Sequence, residues 1–126
     1  MRVMMMVKTS GQSEDGMLRD AEARLAAMGK YNEELQKAGV LVELSGLKPS
    51  SAGVRVRFAG GKRAVTDGPF TESKELIAGY WIIQVESREE AIAWAKQIPA
   101  EVCEIGEVEL RPLQEREDCA PGLIKP

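Results

Sequence analysis

Apolar residues open the chain without alternation. Val3, Met5 and Val7 are interleaved with Met4 and Met6 rather than with polar side chains. A half-exposed strand would alternate, so the pattern predicts a central strand covered on both faces, with methionine as core filler. Thr9 to Gly16 is polar and reads as a loop. From about Met17 to Ala38 the period changes. Leu18, Ala21, Leu25, Met28, Leu35 and Ala38 recur at three- and four-residue steps, which predicts a helix with one buried stripe. Arg19, Glu22, Lys30, Glu33 and Lys37 populate its other side. Gly29 costs this helix about 1 kcal/mol relative to Ala, and a close approach to the sheet is the reading that would account for it. Gly39 is the expected stop.

Val40 to Leu44 predicts a second strand, and Ser45 to Gly53 a loop holding Pro49. Val54, Val56 and Phe58 alternate with Arg55 and Arg57, the pattern of a half-buried strand. Gly60-Gly61 is a hairpin turn signal, and Lys62 to Thr66 returns as the partner. Ile77 to Glu86 is a strand apolar on both faces through Tyr80, Trp81, Ile82, Ile83 and Val85. Ser87 to Glu90 is a capping box. The helix it opens runs to about Ile98 and buries Ala91, Trp94 or Ala95, and Ile98, with Trp94 as a core anchor. Pro99 ends it. Val102 to Pro112 is the last strand. Gly106 marks a candidate bulge, Val108 and Leu110 face one way, and Glu107, Glu109 and Arg111 the other. Gln114 to Pro126 reads as a loosely held tail.

Special backbone chemistry and clustered charge coincide in one stretch, Thr66 to Trp81. Gly68 is free to take a positive φ. Pro69 fixes its own φ, lacks a donor and biases Gly68 toward an extended or turn conformation. Asp67 is placed to accept from backbone N–H groups just ahead of it. Phe70 is free to pack inward, and Glu72, Lys74 and Glu75 follow as neighbours of opposite charge. Two readings result: a rigid, capped loop with solvated charges, or a pocket wall presenting Asp67 as acceptor or base.

The stretch Asp67-Gly68-Pro69-Phe70, with Glu72, Lys74-Glu75 and Gly79-Tyr80-Trp81-Ile82, resembles the signature of the YCII-related proteins, in the subfamily named for its DGPF tetrapeptide. Glu89-Glu90-Ala91, Trp94-Ala95 and Glu109-Leu110-Arg111-Pro112 extend the match. The resemblance implies an α+β fold: a ferredoxin-like βαββαβ-type protomer with an inserted β-hairpin, paired as a dimeric α/β barrel. It assigns 1–113 to the domain and 114–126 to a C-terminal tail, and it carries no settled activity. In the wider family an acid–base role is proposed for a histidine on the first helix with an aspartate before the proline that closes the second. This chain has no histidine, and Ile98 precedes Pro99. Only Asp67, Gly68 and Pro69 transfer. Relatives are often encoded beside, or fused to, alternative sigma factors, which by association implies a regulatory setting.

Composition narrows the partners. At 126 residues with 29% charged residues the chain reads as one soluble globular domain. A net charge of −3 gives no reason to expect nucleic acid as the main partner. The apolar opening ends at Lys8, too short for a spanning helix or a secretory signal, so cytoplasmic residence without a membrane is the expectation. Cys103 and Cys119 show no metal-type spacing and read as free thiols. Without histidine a zinc site is not expected, and no cofactor is called. Arg55, Arg57, Lys62 and Arg63 form the one basic cluster. It is read as a solvated outer face, with an anion site or a protein-docking surface as the functional alternative.

Two helices on one face of the sheet leave the apolar second face of the first and Tyr80–Val85 strands to be shielded. A second copy, sheet against sheet, is the simplest cover, with the Asp67 loop near the rim of the shared cavity. The first functional hypothesis is a ligand-binding or non-catalytic homodimeric module linked to a sigma factor. Its candidate binding residues are Asp67, Gly68, Pro69, Phe70, Glu72, Lys74 and Tyr80. The alternative is an enzyme acting on a small organic substrate. Asp67 is then acid or base, Lys74 balances charge, and Glu72 or Glu75 is a second carboxylate.

Overall fold

The computed structural model describes residues 1–10, 21–102 and 106–119. Six strands and three helices follow in the order β1 (Arg2–Thr9), α1 (Ala21–Lys37), β2 (Leu41–Gly46), β3 (Val54–Ala59), β4 (Lys62–Asp67), β5 (Leu76–Gln84), α2 (Arg88–Lys96), β6 (Val108–Pro112) and α3 (Arg116–Cys119). The main sheet has the order β2-β5-β1-β6, and every pairing in it is antiparallel. This is an α+β arrangement compatible with the ferredoxin-like succession, with β3 and β4 set between β2 and β5 as a separate two-stranded sheet.

The unbroken apolar run of β1 puts it at the centre of the sheet. It pairs with β5, Val3 opposite Ile83 and Met5 opposite Trp81, and on its other edge with β6, Met5 opposite Leu110. Val3, Met5 and Val7 join Trp81, Ile83 and Val85 in the main core, and both helices close it, α1 with Tyr31 and Leu35 and α2 with Ala91. The two helices therefore share one face, as the short connections require. On the opposite face Met4, Met6 and Tyr80 are half-buried and Ile82 is buried. The double-sided cover expected of β1 is thus complete on the helix side and partial on the other within a single chain.

The α1 stripe differs from expectation. Leu25 is 67% exposed and Ala38 is exposed, whereas Tyr31 and Leu35 are buried and Met28 half-buried. Tyr31 lies three residues from Met28 and four from Leu35, so it continues the stripe. Its hydroxyl donates to the Trp94 carbonyl at 2.8 Å, and its ring meets Trp81 edge-on at 5.2 Å. Trp81 Nε1 donates to Asn32 Oδ1 at 2.7 Å. These polar tips tie α1 to α2 and to β5 while the rings fill the core. Burial, and then the charge of Glu34, push the Tyr31 phenol well above its ordinary value of 10.0, so it acts as a neutral donor. Gly29 is exposed, and a Cβ there would meet nothing within 4 Å. It does not serve a close approach to the sheet. Gly79 does: its Cβ would lie 2.9 Å from the Ser45 carbonyl oxygen, where β2 crosses close to β5.

Gly39 ends α1 at φ 73°, and Gly60 and Gly61 turn the hairpin at φ 57° and 78°, the left-handed pair expected of such a turn. The Ser87 hydroxyl accepts from Glu90 N at 3.1 Å, so the serine half of the capping box forms, whereas Glu90 Oε2 reaches back one residue further than the box requires and accepts from Glu86 N at 2.6 Å. Trp94, Ala95 and Ile98 are half-buried behind it. The hairpin strands are not half-buried as the alternation suggested; every position of both is exposed. The last strand begins at Val108 rather than Val102, which instead is the buried last residue of a 3₁₀ turn, Ala100–Val102. Gly106 sits just before β6 at φ 72°. At the tail, Glu115 pairs with Arg2 at 3.2 Å. Residues 11–16 of the expected loop, the helix start at Met17, Leu18 and Arg19, Cys103, and 120–126 of the tail lie outside the described residues.

Candidate functional site

The loop after β4 is built by a preceding segment. Gly68 N donates to the Gly53 carbonyl at 2.8 Å, and Phe70 N donates to Ser50 Oγ at 2.9 Å. Gly68 is packed so closely that a Cβ would overlap the Ser50 carbonyl, and the Gly68–Pro69 peptide is cis. Glycine is thus required here by close approach rather than by a positive φ. The donors that Asp67 was expected to cap are taken by Gly53 and Ser50, and Asp67 itself is exposed. Phe70 is buried at 7% exposure, as an inward anchor should be. The Arg55 guanidinium lies 3.8 Å from its ring centroid, donates to Ser73 Oγ at 2.7 Å and reaches Glu72 at 3.8 Å. One arginine of the basic cluster therefore clamps the loop to the hairpin through stacking and charge.

The other candidate side chains go elsewhere. Lys74 and Pro69 are exposed. Tyr80 is on the helix-free face of the sheet, where its hydroxyl donates to Glu43 Oε1 at 3.1 Å. Glu75 is drawn to Lys8, 3.4 Å away, and Lys8 also lies 3.4 Å from Glu109. The seven candidate binding residues thus divide into a loop group around Phe70 and a lone tyrosine on the sheet, with Glu72 and Glu75 held by different cations.

Sequence reasoning missed Lys8 and Glu109 as partners. The available signal was a single cation closing an otherwise apolar central strand, which has to be paired if it is to be covered. Lys8 is 9% exposed. Burial, the largest single influence, pulls its ammonium down, but the hydrogen bonds and charges of Glu75 and Glu109 together outweigh it and leave it raised above 10.5. The Arg111 hydrogen bond first, and then that of Lys8, hold the Glu109 carboxyl below its ordinary 4.5. Among the described residues no group of three histidine, cysteine or acidic side chains is placed to hold a metal ion.

An apolar cavity of about 70 Å³ opens on the helix side between α1, β2 and β5. Val7, Met28, Leu44, Trp81 and Val102 line it, with Arg24 also on its wall. Among the described residues that line it none is a carboxylate. Its described lining is mainly apolar. It is formed by residues far apart in sequence, and none of the loop residues Asp67 to Lys74 reaches it.

Comparison with known proteins gives two findings. The model of the YCII-related domain matches residues 1–115. An uncharacterized protein of Rhizobium meliloti is 33% identical over 104 residues, which cover 82% of this chain and 78% of that protein.

Proposed function

The chain belongs to the family of YCII-related domains, and we propose that it serves as a cytoplasmic, homodimeric module of the DGPF type that binds a small molecule rather than transforming one. The observation that carries this reading is the apolar cavity between α1, β2 and β5, whose described lining residues offer shape and dispersion contacts but no carboxylate to act as a base. The alternative seats acid–base work on Asp67. A lone carboxylate acting as base calls for enclosure from water, and Asp67 of a single protomer is open to it. The signature loop is then an architectural element, clamped by Arg55, Ser50 and Gly53. A regulatory setting beside an alternative sigma factor is supported by the family resemblance. Pairing of two copies through the helix-free face is supported by the half-buried Met4, Met6 and Tyr80 on it.

The test is a thermal-shift screen with short apolar acids, alcohols and amides on wild type, Asp67→Ala and Leu44→Trp. Leu44 is 38% exposed, so the larger ring can reach into the cavity without unfolding the sheet. A compound that raises the melting temperature of wild type and of Asp67→Ala, and not of Leu44→Trp, is the expected result. A response lost in a folded Asp67→Ala, or turnover of the compound by wild type alone, would replace binding with catalysis at Asp67.

A further inference from the structure

The β3–β4 hairpin is turned the wrong way round for a part of its own subunit. Residues directly opposite across an antiparallel pair share a face. Val54 is opposite Asp67, Val56 opposite Val65 and Phe58 opposite Arg63, while Arg55, opposite Thr66, and Arg57, opposite Ala64, fall on the other side. An antiparallel ribbon ordinarily turns its apolar side to the core and its polar side to water. Here the Arg55 side leans on the loop of its own chain, over Phe70 and against Ser73. The apolar side points away: Val54, Val56, Phe58 and Val65 are 58%, 46%, 69% and 67% exposed. A two-stranded ribbon is marginal on its own, and an apolar face of this kind marks an interaction surface.

We infer that this hairpin is an exchange arm whose apolar face, Val54, Val56, Phe58 and Val65, docks on the helix-free sheet face of a second copy of the chain. The inference rests on the dimer reading above and adds to it. Charge selects the occupant. Segment 54–67 carries Arg55, Arg57, Lys62 and Arg63 against Asp67, a net +3, which leaves −6 on the remainder of a chain whose total is −3. The apolar side itself carries only Arg63 and Asp67, while Arg55, Arg57 and Lys62 lie on the other side; as whole segments, two hairpins of net +3 repel, whereas a hairpin and the acidic body of another copy attract. The helix-free face offers half-buried Met4, Met6 and Tyr80 with exposed Glu43 beside them, and its cations Arg2, Lys8 and Arg111 pair with Glu115, Glu75 and Glu109. Asp67 shares the apolar side of the arm, opposite Val54.

Sedimentation equilibrium on wild type, on the double variant Phe58→Ser/Val65→Thr and on Met6→Glu tests this, with circular dichroism to confirm folding. Both hairpin positions are exposed in the protomer, so the double variant keeps its fold. The expected result is a wild-type dimer that weakens with added salt, and a dissociation constant raised at least about tenfold by the double variant. Benzoylphenylalanine placed at position 58 is expected to crosslink to β1 or β5 of a second, isotopically distinguished copy. If the double variant pairs like wild type while Met6→Glu does not, the arm is overturned and the sheet-to-sheet dimer stands. A crosslink confined to one chain, or joining two hairpins, also overturns the arm. A monomeric wild type removes both.

Discussion

Gly29 and Gly68 show how differently one residue type can be employed. Gly29 lies inside α1, exposed, with open space where a Cβ would project. Its only effect is the extra backbone freedom it brings to the unfolded chain and the propensity it withholds from the helix. Gly29→Ala is therefore expected to stabilise the protein by about 1 kcal/mol, read as a higher urea midpoint with an unchanged slope. Gly68 is the reverse case. A methyl group there would overlap a backbone carbonyl that cannot swing aside, so alanine would force the Ser50 and Pro69 segments apart.

Among the elements, the loop after β4 owes its shape to a neighbour rather than to its own residues. The Ser50 hydroxyl accepts the Phe70 N–H, and the 3₁₀ turn Ser50–Ala52 fixes where that hydroxyl stands. Removing the acceptor leaves a donor beside a buried ring, a cost of about 1–3 kcal/mol. Ser50→Ala is expected to destabilise the protein by an amount in that range and to speed amide exchange at Phe70 selectively, with the β1 and β5 amides slowed or quickened only in proportion to global stability. Uniform acceleration across the chain would mean that the loop is no more dependent on Ser50 than the rest of the fold. The hairpin makes the complementary point. Its strands form by local pairing and a two-glycine turn, but their apolar side contributes nothing to the protomer's core.

For the whole molecule, the Lys8 cluster couples β1, β6 and the loop before β5 to pH. Glu109 on β6 is held below its ordinary carboxyl value by Arg111 and Lys8. A depressed folded-state value means that its contribution is complete above 4.5 and is lost as pH falls through the lower, folded-state value. Lys8 has the opposite sign: its contribution is complete below 10.5 and fades as pH rises past the raised value. Glu109→Gln is expected to flatten the acid limb of the urea-midpoint profile below the ordinary carboxyl value of 4.5 and to leave the plateau near neutrality less stable. An acid limb as steep as wild type would show that Glu109 is not among the groups that drive acid unfolding. No helix among the described residues is long and apolar enough to cross a membrane.

What the amino-acid order determined by itself was local and periodic. The uninterrupted apolar run of β1 and the apolar Tyr80–Val85 run specify central strands, because side chains alternate faces and both faces were greasy. Ser87, Glu90, Gly39 and Gly60-Gly61 specify where helices start, stop and chains reverse, because each acts on its own few bonds. Gly68 was legible as special and Phe70 as an anchor. What the tertiary structure decided was everything that depends on which surface meets which. Alternation in Val54, Val56 and Phe58 said that one side is apolar but not that this side turns away from its own subunit. Leu25 fits a helical stripe, yet Tyr31 is the residue that reaches Trp81 and Trp94. Asp67 carried the expected capping role in its dipeptide, while Ser50 and Gly53 hold the donors, and Lys8 found Glu75 in the loop before β5 and Glu109 on β6. Hydrogen-bond partners and burial are properties of three-dimensional neighbours, and a linear pattern reports them only where the neighbours are also close along the chain.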